Sequence, residues 1–187
     1  MVTTTVIGGF FFLLVAGLLL YFITVYNSLV SIRNECDRAW SNIDVLLKQR
    51  HDELPKLVET CRGYMKYEQQ TLEMVVQART AWLSATTVDQ KLEANQQTAG
   101  ALKTLFAVAE KYPDLKANQN FLMLQERISQ LESHIADRRE LYNDAVNTFN
   151  IRIAQLPDVF IAQMLAYTRK PLFAATAAER ADVSLAM

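Results

Sequence analysis

The sequence predicts an all-α protein, with an N-terminal transmembrane helix followed by an antiparallel four-helix bundle of long helices. Three observations predict it. Val6 to Val25 is an uncharged apolar run; the later stretches carry apolar residues at three- and four-residue steps; and proline or turn-forming residues fall between those stretches. No strand-like alternation and no internal repeat competes with this pattern.

The apolar run, VIGGFFFLLVAGLLLYFITV, reaches about 30 Å as a helix, the thickness of a bilayer's hydrocarbon core. No Lys or Arg precedes Arg33, so the basic start of a secretory signal is missing, and the run is longer than a signal's apolar segment. It reads as a retained anchor in contact with membrane lipid. Tyr21, Phe22 and Tyr26 stand at its C-terminal end, where amphipathic rings favour the headgroup region. Gly8, Gly9 and Gly17 offer a second role: Gly9 and Gly17 lie about two turns apart on one face, where small residues let anchors pack together.

Of the 187 residues, 19 are basic and 20 acidic, a formal net charge of −1. That balance, without basic blocks, excludes a phosphate-binding face and with it nucleic acid as a partner. The apolar fraction of 51% is inflated by the anchor; the remainder of the chain alternates charged and apolar residues in an amount suited to one domain. Cys36 and Cys61 fall at apolar positions of helical patterns and read as buried thiols.

After the anchor, Leu29, Ile32, Cys36, Ala39, Ile43 and Leu46 form an amphipathic stripe, a helix over about 27–50 that no Gly or Pro separates from the anchor. Around Arg50 to Pro55 a break is expected, with Asp52 capping a second helix and Pro55 in its first turn. One long helix kinked at Pro55 is the alternative, which would turn the bundle into a three-helix rod. The second stripe, Leu54, Leu57, Val58, Cys61, Met65, Leu72, Val75 and Val76, runs on to about Ser84 with Gly63 inside it. Thr86 to Asp89 then read as a turn and cap for a third helix ending near Tyr112 and Pro113; its first half, Lys91 to Gly100, is polar and weakly patterned. The fourth helix is the longest: Phe121, Leu124, Ile128, Leu131, Ile135, Arg138, Tyr142, Ala145, Phe149, Arg152 and Leu156 keep a three-four step until Pro157, which favours coiled-coil-like packing. A short apolar helix over Val159 to Tyr167 and an alanine-rich tail from Phe173 to Met187 complete the chain. The domains expected are thus an anchor over 1–26, a bundle over 27–157 and a terminal segment over 158–187.

These residues resemble the LemA family of bacterial membrane-anchored helical proteins. The resemblance is carried by Tyr26-Asn27-Ser28-Leu29-Val30, by Ala39 to Val45, by Leu47-Lys48 and Arg50, and by Leu54-Pro55 with Leu57 to Thr60. It continues through Gly63-Tyr64, Glu68, Arg139, Tyr142 to Val146, Phe149-Asn150 and Pro157. It implies a single N-terminal anchor, a four-helix bundle and no enzymatic activity; the location expected is the bacterial inner membrane. A magnetosome membrane protein in the same family implies a part in membrane organisation. The chain departs from the family's pattern at Glu53, Lys56 and Tyr67, where an apolar residue, Asn and His are usual.

Catalytic chemistry finds little support. A di-iron bundle needs Glu-x-x-His pairs, yet neither His51 nor His134 lies three residues after a Glu. His51 beside Asp52 and Glu53 reads as a solvated cluster at a turn. No cofactor and no metal are expected. Two charges intrude on the apolar stripes, Glu68 in the second helix and Arg138 in the fourth; a buried pair between Glu68 and Arg138 or Arg139 would compensate both, while a shifted stripe would leave them outside.

The function expected is that of a non-enzymatic, single-pass scaffold that assembles with copies of itself to organise or shape the membrane. The alternative is an adaptor that binds another membrane protein, such as a protease or signalling component. Arg33 and Arg38, close behind the anchor, favour a cytoplasmic bundle; lipoprotein-like relatives would place it outside. Val159 to Phe173, with Arg169 and Lys170, reads either as a lid on its own bundle or as a segment returning to a neighbour or to lipid.

Overall fold

A computed structural model describes residues 2–173. The alanine-rich tail beyond Phe173 lies outside the described residues. Within them every regular element is helical: α1 (Val2–Arg62), α2 (Gln69–Ser84), α3 (Val88–Ala109), α4 (Pro113–Lys116), α5 (Gln119–Arg152) and α6 (Asp158–Met164).

The 61-residue α1 joins the anchor and the first amphipathic helix without interruption, and it also runs through Pro55. The expected break at Arg50 to Pro55 is therefore absent, and Asp52 caps nothing. The physical reason lies in one face. Ile43, Leu47, Arg50, Leu54, Leu57 and Cys61 follow a four-three step and are all fully buried, so breaking the helix would uncover the core. Pro55 has no amide to give the His51 carbonyl, the usual penalty of an interior proline. That carbonyl is not orphaned: Arg79 Nε of α2 donates to it at 3.3 Å. Replacing Arg79 with leucine is expected to cost about 1–2 kcal/mol, and much less when Pro55→Ala restores the helix's own donor. Denaturant titration of the four proteins of this cycle measures the coupling.

The chain turns instead at Gly63 to Glu68, where the amides of Tyr64 and Met65 both donate to the Cys61 carbonyl at 3.0 and 2.9 Å. Gly63, expected inside a helix, thus comes just after the end of α1, and the second helix shrinks to the 16 residues of α2. The turn before α3 matches the expectation from sequence. Thr87 forms a capping box with Gln90, each side chain satisfying an amide of the other's turn. Asn118 opens α5 by accepting from the Phe121 amide at 3.1 Å.

The chain divides into two compact units. One consists of Trp40–Tyr142 with the chain from Pro171. Its core pools Leu54, Leu57, Cys61 and Met65 with Leu72 and Val75 of α2, Leu102 and Leu105 of α3, Leu115 of α4 and Phe121 and Ile128 of α5. The other consists of the chain up to Ala39 with Asn143–Lys170. There Val25, Leu29 and Cys36 of α1, Val146 and Phe149 near the end of α5, Ile153 just beyond it, and Ile161 and Ala162 of α6 are buried. Arg152, a polar member of the long stripe, ion-pairs through Nε with the buried Asp158. Leu156 does not continue the stripe: α5 stops at Arg152, and Leu156 is 75% exposed before a cis bond to Pro157.

α6 ends on Ala166, whose φ of 51° lies in the left-handed region. The amides of Ala166 and Tyr167 donate back to Gln163 and Ala162 at 3.0 and 2.9 Å, a Schellman-type stop that glycine suits better than a residue with a Cβ. Ala166→Gly is expected to raise stability by about 0.5–1 kcal/mol. A shift of the thermal midpoint upward is the measurement that checks it.

Candidate membrane span and buried polar centre

α1 is the one helix among the described residues long and apolar enough to cross a membrane. Its side chains from Val6 to Thr24 stand open except for the half-buried Ala16. Val6 and Phe12 are 65% and 71% exposed, and Val25 at 6% is the first buried residue. Tyr21, Phe22 and Tyr26 remain exposed at that end. Val25, expected as the last residue of the lipid-facing run, instead belongs to the protein's own packing. The Thr24 hydroxyl donates to the Leu20 carbonyl at 2.8 Å, so this polar side chain is satisfied without water. Gly8, Gly9 and Gly17 leave open space: a Cβ added at any of them would meet nothing within 4 Å.

The unit of Trp40–Tyr142 holds a centre of another kind. Arg50 of α1 is fully buried; its Nη1 donates to Glu132 Oε1 of α5 at 2.6 Å and its Nη2 to Asn95 Oδ1 of α3 at 2.7 Å. Desolvation pulls the guanidinium's pKa down and Glu132 opposes it. Next to it His51, 1% exposed, stacks on Trp82 of α2 with ring centres 4.4 Å apart and planes 17° from parallel. Neither ring nitrogen of His51 has a hydrogen-bond partner, nor do Arg50 Nε and Trp82 Nε1. Burial, with Arg50 and Arg79 nearby, lowers the imidazole's pKa from 6.5 to about 3, so it is held neutral. His51, expected in a solvated cluster at a turn, is therefore buried, while Asp52 beside it stays exposed. Glu53 is buried too, at 4%, and receives Lys56 Nζ and Arg127 Nε, each at 2.9 Å. Glu53 and Lys56 thus pair with each other, and Tyr67 is 95% exposed.

Glu68 sits half-buried just before α2, where Tyr112 Oη donates to it at 3.3 Å. Tyr112, not an arginine of the fourth helix, meets it. Arg138 is exposed on α5, and the Arg139 guanidinium lies 6.0 Å from the centre of the Phe173 ring. The charge that is truly buried is Arg50, and the signal for it was in the sequence: Arg50 falls on the core step between Leu47 and Leu54. Asn95 and Thr98 likewise keep the step between Leu92 and Leu102, and both are buried. Counting apolar residues alone misses all three.

Cys36 and Cys61 are buried, free thiols, and burial pushes Cys61 up to about 11. Such thiols are inert as nucleophiles. Among the described residues no group of three or more His, Cys, Asp or Glu side chains is placed to hold a metal ion. Arg50 and His51 are closed to any solute while the helices stay packed.

An exposed apolar span continuous with a helical body defines a membrane-associated helical protein. Within that class the match is specific: the LemA family model fits residues 39–186, and the chain belongs to the LemA family. It is 33% identical to Protein LemA of Metamycoplasma hominis over 169 residues, covering 88% of this chain and 77% of that one. It is also similar to proteins named as magnetosome proteins. Magnetosome protein MamQ 2 of Paramagnetospirillum magneticum is 24% identical over 174 residues, with 79% of this chain and 64% of that one covered. Magnetosome protein MamQ of Magnetospirillum gryphiswaldense is 20% identical over 185 residues, with 83% and 68% covered.

Proposed function

We propose that this protein is a single-pass, inner-membrane scaffold whose helices form an antiparallel bundle and which assembles with copies of itself to organise or shape the bacterial membrane. The observation that carries the reading is α1: one 61-residue helix bears the exposed apolar span and then supplies the core residues Leu54, Leu57, Val58 and Cys61. No linker interrupts it, so a load on the anchor passes into folded structure. The open glycine face of Gly9 and Gly17 is the surface through which neighbouring anchors approach. Relatives named as magnetosome proteins agree with a role in organising membrane. Arg33 and Arg38 favour the cytoplasmic side for the helical body. The partners are then lipid and further copies of the chain, with no reaction catalysed.

The test is particle size. Full-length protein in mild detergent, measured by mass photometry and electron microscopy beside a version lacking residues 1–26, is expected to give large regular particles that need the anchor. Small species in both samples would overturn the scaffold and point to an adaptor, for which crosslinking in membranes would then identify the partner protein.

A further inference from the structure

From the structure we infer that the turn and short helix formed by Leu156, Pro157 and Phe160, with Met164 at the rim, insert into the lipid headgroup region beside the anchor. This rests on the reading of α1 as spanning the bilayer, and it adds a lipid contact made by the other end of the chain.

Leu156, Phe160 and Met164 succeed one another at four-residue steps and are 75%, 67% and 63% exposed, whereas Asp158, Ile161 and Ala162, on the other side of the same segment, are buried. One side of the segment therefore covers its own unit and the other offers large apolar side chains to the outside. The height of that outer side along α1, which serves as a ruler, decides what covers it. Arg152, beginning the turn, donates from Nη2 to Ser28 Oγ at 3.3 Å and holds Asp158 through Nε. Ser28 lies only about 3 Å along the helix axis beyond Tyr26, the last exposed aromatic residue of the span. Farther on, Arg33 meets Tyr167, its guanidinium 5.0 Å from the ring centre, and Asp37 takes Lys170 Nζ at 2.5 Å. Those two stations stand about 10 and 16 Å beyond Tyr26. The chain thus climbs away from the level of Tyr26 between its 152–158 turn and Lys170; Leu156 lies within the low turn and Phe160 two residues past it.

A bilayer's headgroup layer extends about 5–8 Å beyond its hydrocarbon on each side. Side chains at the level of Ser28 are inside that layer, and leucine and phenylalanine from there reach the acyl boundary, the depth at which amphipathic segments settle. The turn that carries this edge meets α1 at Ser28, two residues beyond the exposed Tyr26, and lipid is accordingly its occupant. Exposed Arg169 sits higher, where a cation meets lipid phosphate rather than acyl chains.

The experiment places a nitroxide label at Phe160→Cys in the full-length protein reconstituted in vesicles of phosphatidylcholine and phosphatidylglycerol, the native thiols being buried. Labels at Phe12→Cys and Tyr67→Cys mark the middle of the span and the aqueous surface. The expected result is a label at 160 relaxed more by oxygen than by a water-soluble nickel chelate, at a depth between those two references. If the label at 160 matches the one at 67 while the label at 12 is deep, the anchor reading stands and this inference fails. If it is shielded from both relaxants, a protein surface covers the edge, and the inference also fails. An aqueous result at position 12 overturns the span and the inference together.

Discussion

Replacing Glu132 with leucine is expected to lower stability by about 3 kcal/mol, more than the double replacement Arg50→Met with Glu132→Leu. The asymmetry comes from which partner is buried. Arg50 has no exposed surface, whereas the Glu132 side chain is 38% exposed and water reaches it. Removing Glu132 leaves a guanidinium in the core with Asn95 as its one remaining acceptor and with Nε already unpartnered. Removing both charges abolishes the desolvation penalty along with the attraction, and methionine fills most of the arginine's volume. The partial exposure of Glu132 holds the expected cost at the low end of the range for breaking a buried pair. Denaturation of the full-length protein in detergent, followed by circular dichroism, measures it. A Glu132→Leu protein as stable as the parent would show that the pair contributes nothing.

The second large effect is loss of stability in mild acid. His51 has a pKa of about 3 when folded against 6.5 as its ordinary value. Below pH 6.5 the unfolded chain binds a proton that the folded chain refuses, so the unfolded state holds more protons and stability must fall as pH falls. The slope is about 1.4 kcal/mol per pH unit, which makes a loss of about 2 kcal/mol between neutrality and about pH 5. Ordinary carboxylates titrate below this window, and comparison with a His51 variant isolates the contribution of His51. His51→Phe keeps an aromatic ring against Trp82 and removes the proton. Its stability is expected to stay flat over the interval in which the parent's declines. Parallel declines in the two proteins would count against the buried neutral imidazole.

Much of this architecture can be read from the order of residues. The span, the continuity of anchor and first helix, the Thr87 cap and the long α5 each rest on local chemistry: an apolar run, the absence of Gly and Pro, a hydroxyl three residues before a glutamine, a three-four step. Family membership was legible for the same reason, since motifs are local strings. Pro55 shows the limit. Its local preference is to start a helix, yet the buried face of α1 and a donor from Arg79, far along the chain, hold it in a helix interior. The same limit hid the polar centre. Arg50, Asn95 and Glu132 sit on three different helices, and nothing near any one of them says that the others will arrive; a charge on an apolar stripe shows only that a partner is required. Glu68 met a tyrosine where an arginine was expected: the chain turns after Arg62 and leaves Glu68 just before α2, within reach of Tyr112. What the sequence determined by itself was the set of surfaces that must be buried or bathed in lipid, because hydrophobicity and helical period are properties of short segments. Which polar side chain compensates which was decided by the tertiary structure alone, because hydrogen bonds act over about 3 Å and only packing brings distant residues that close.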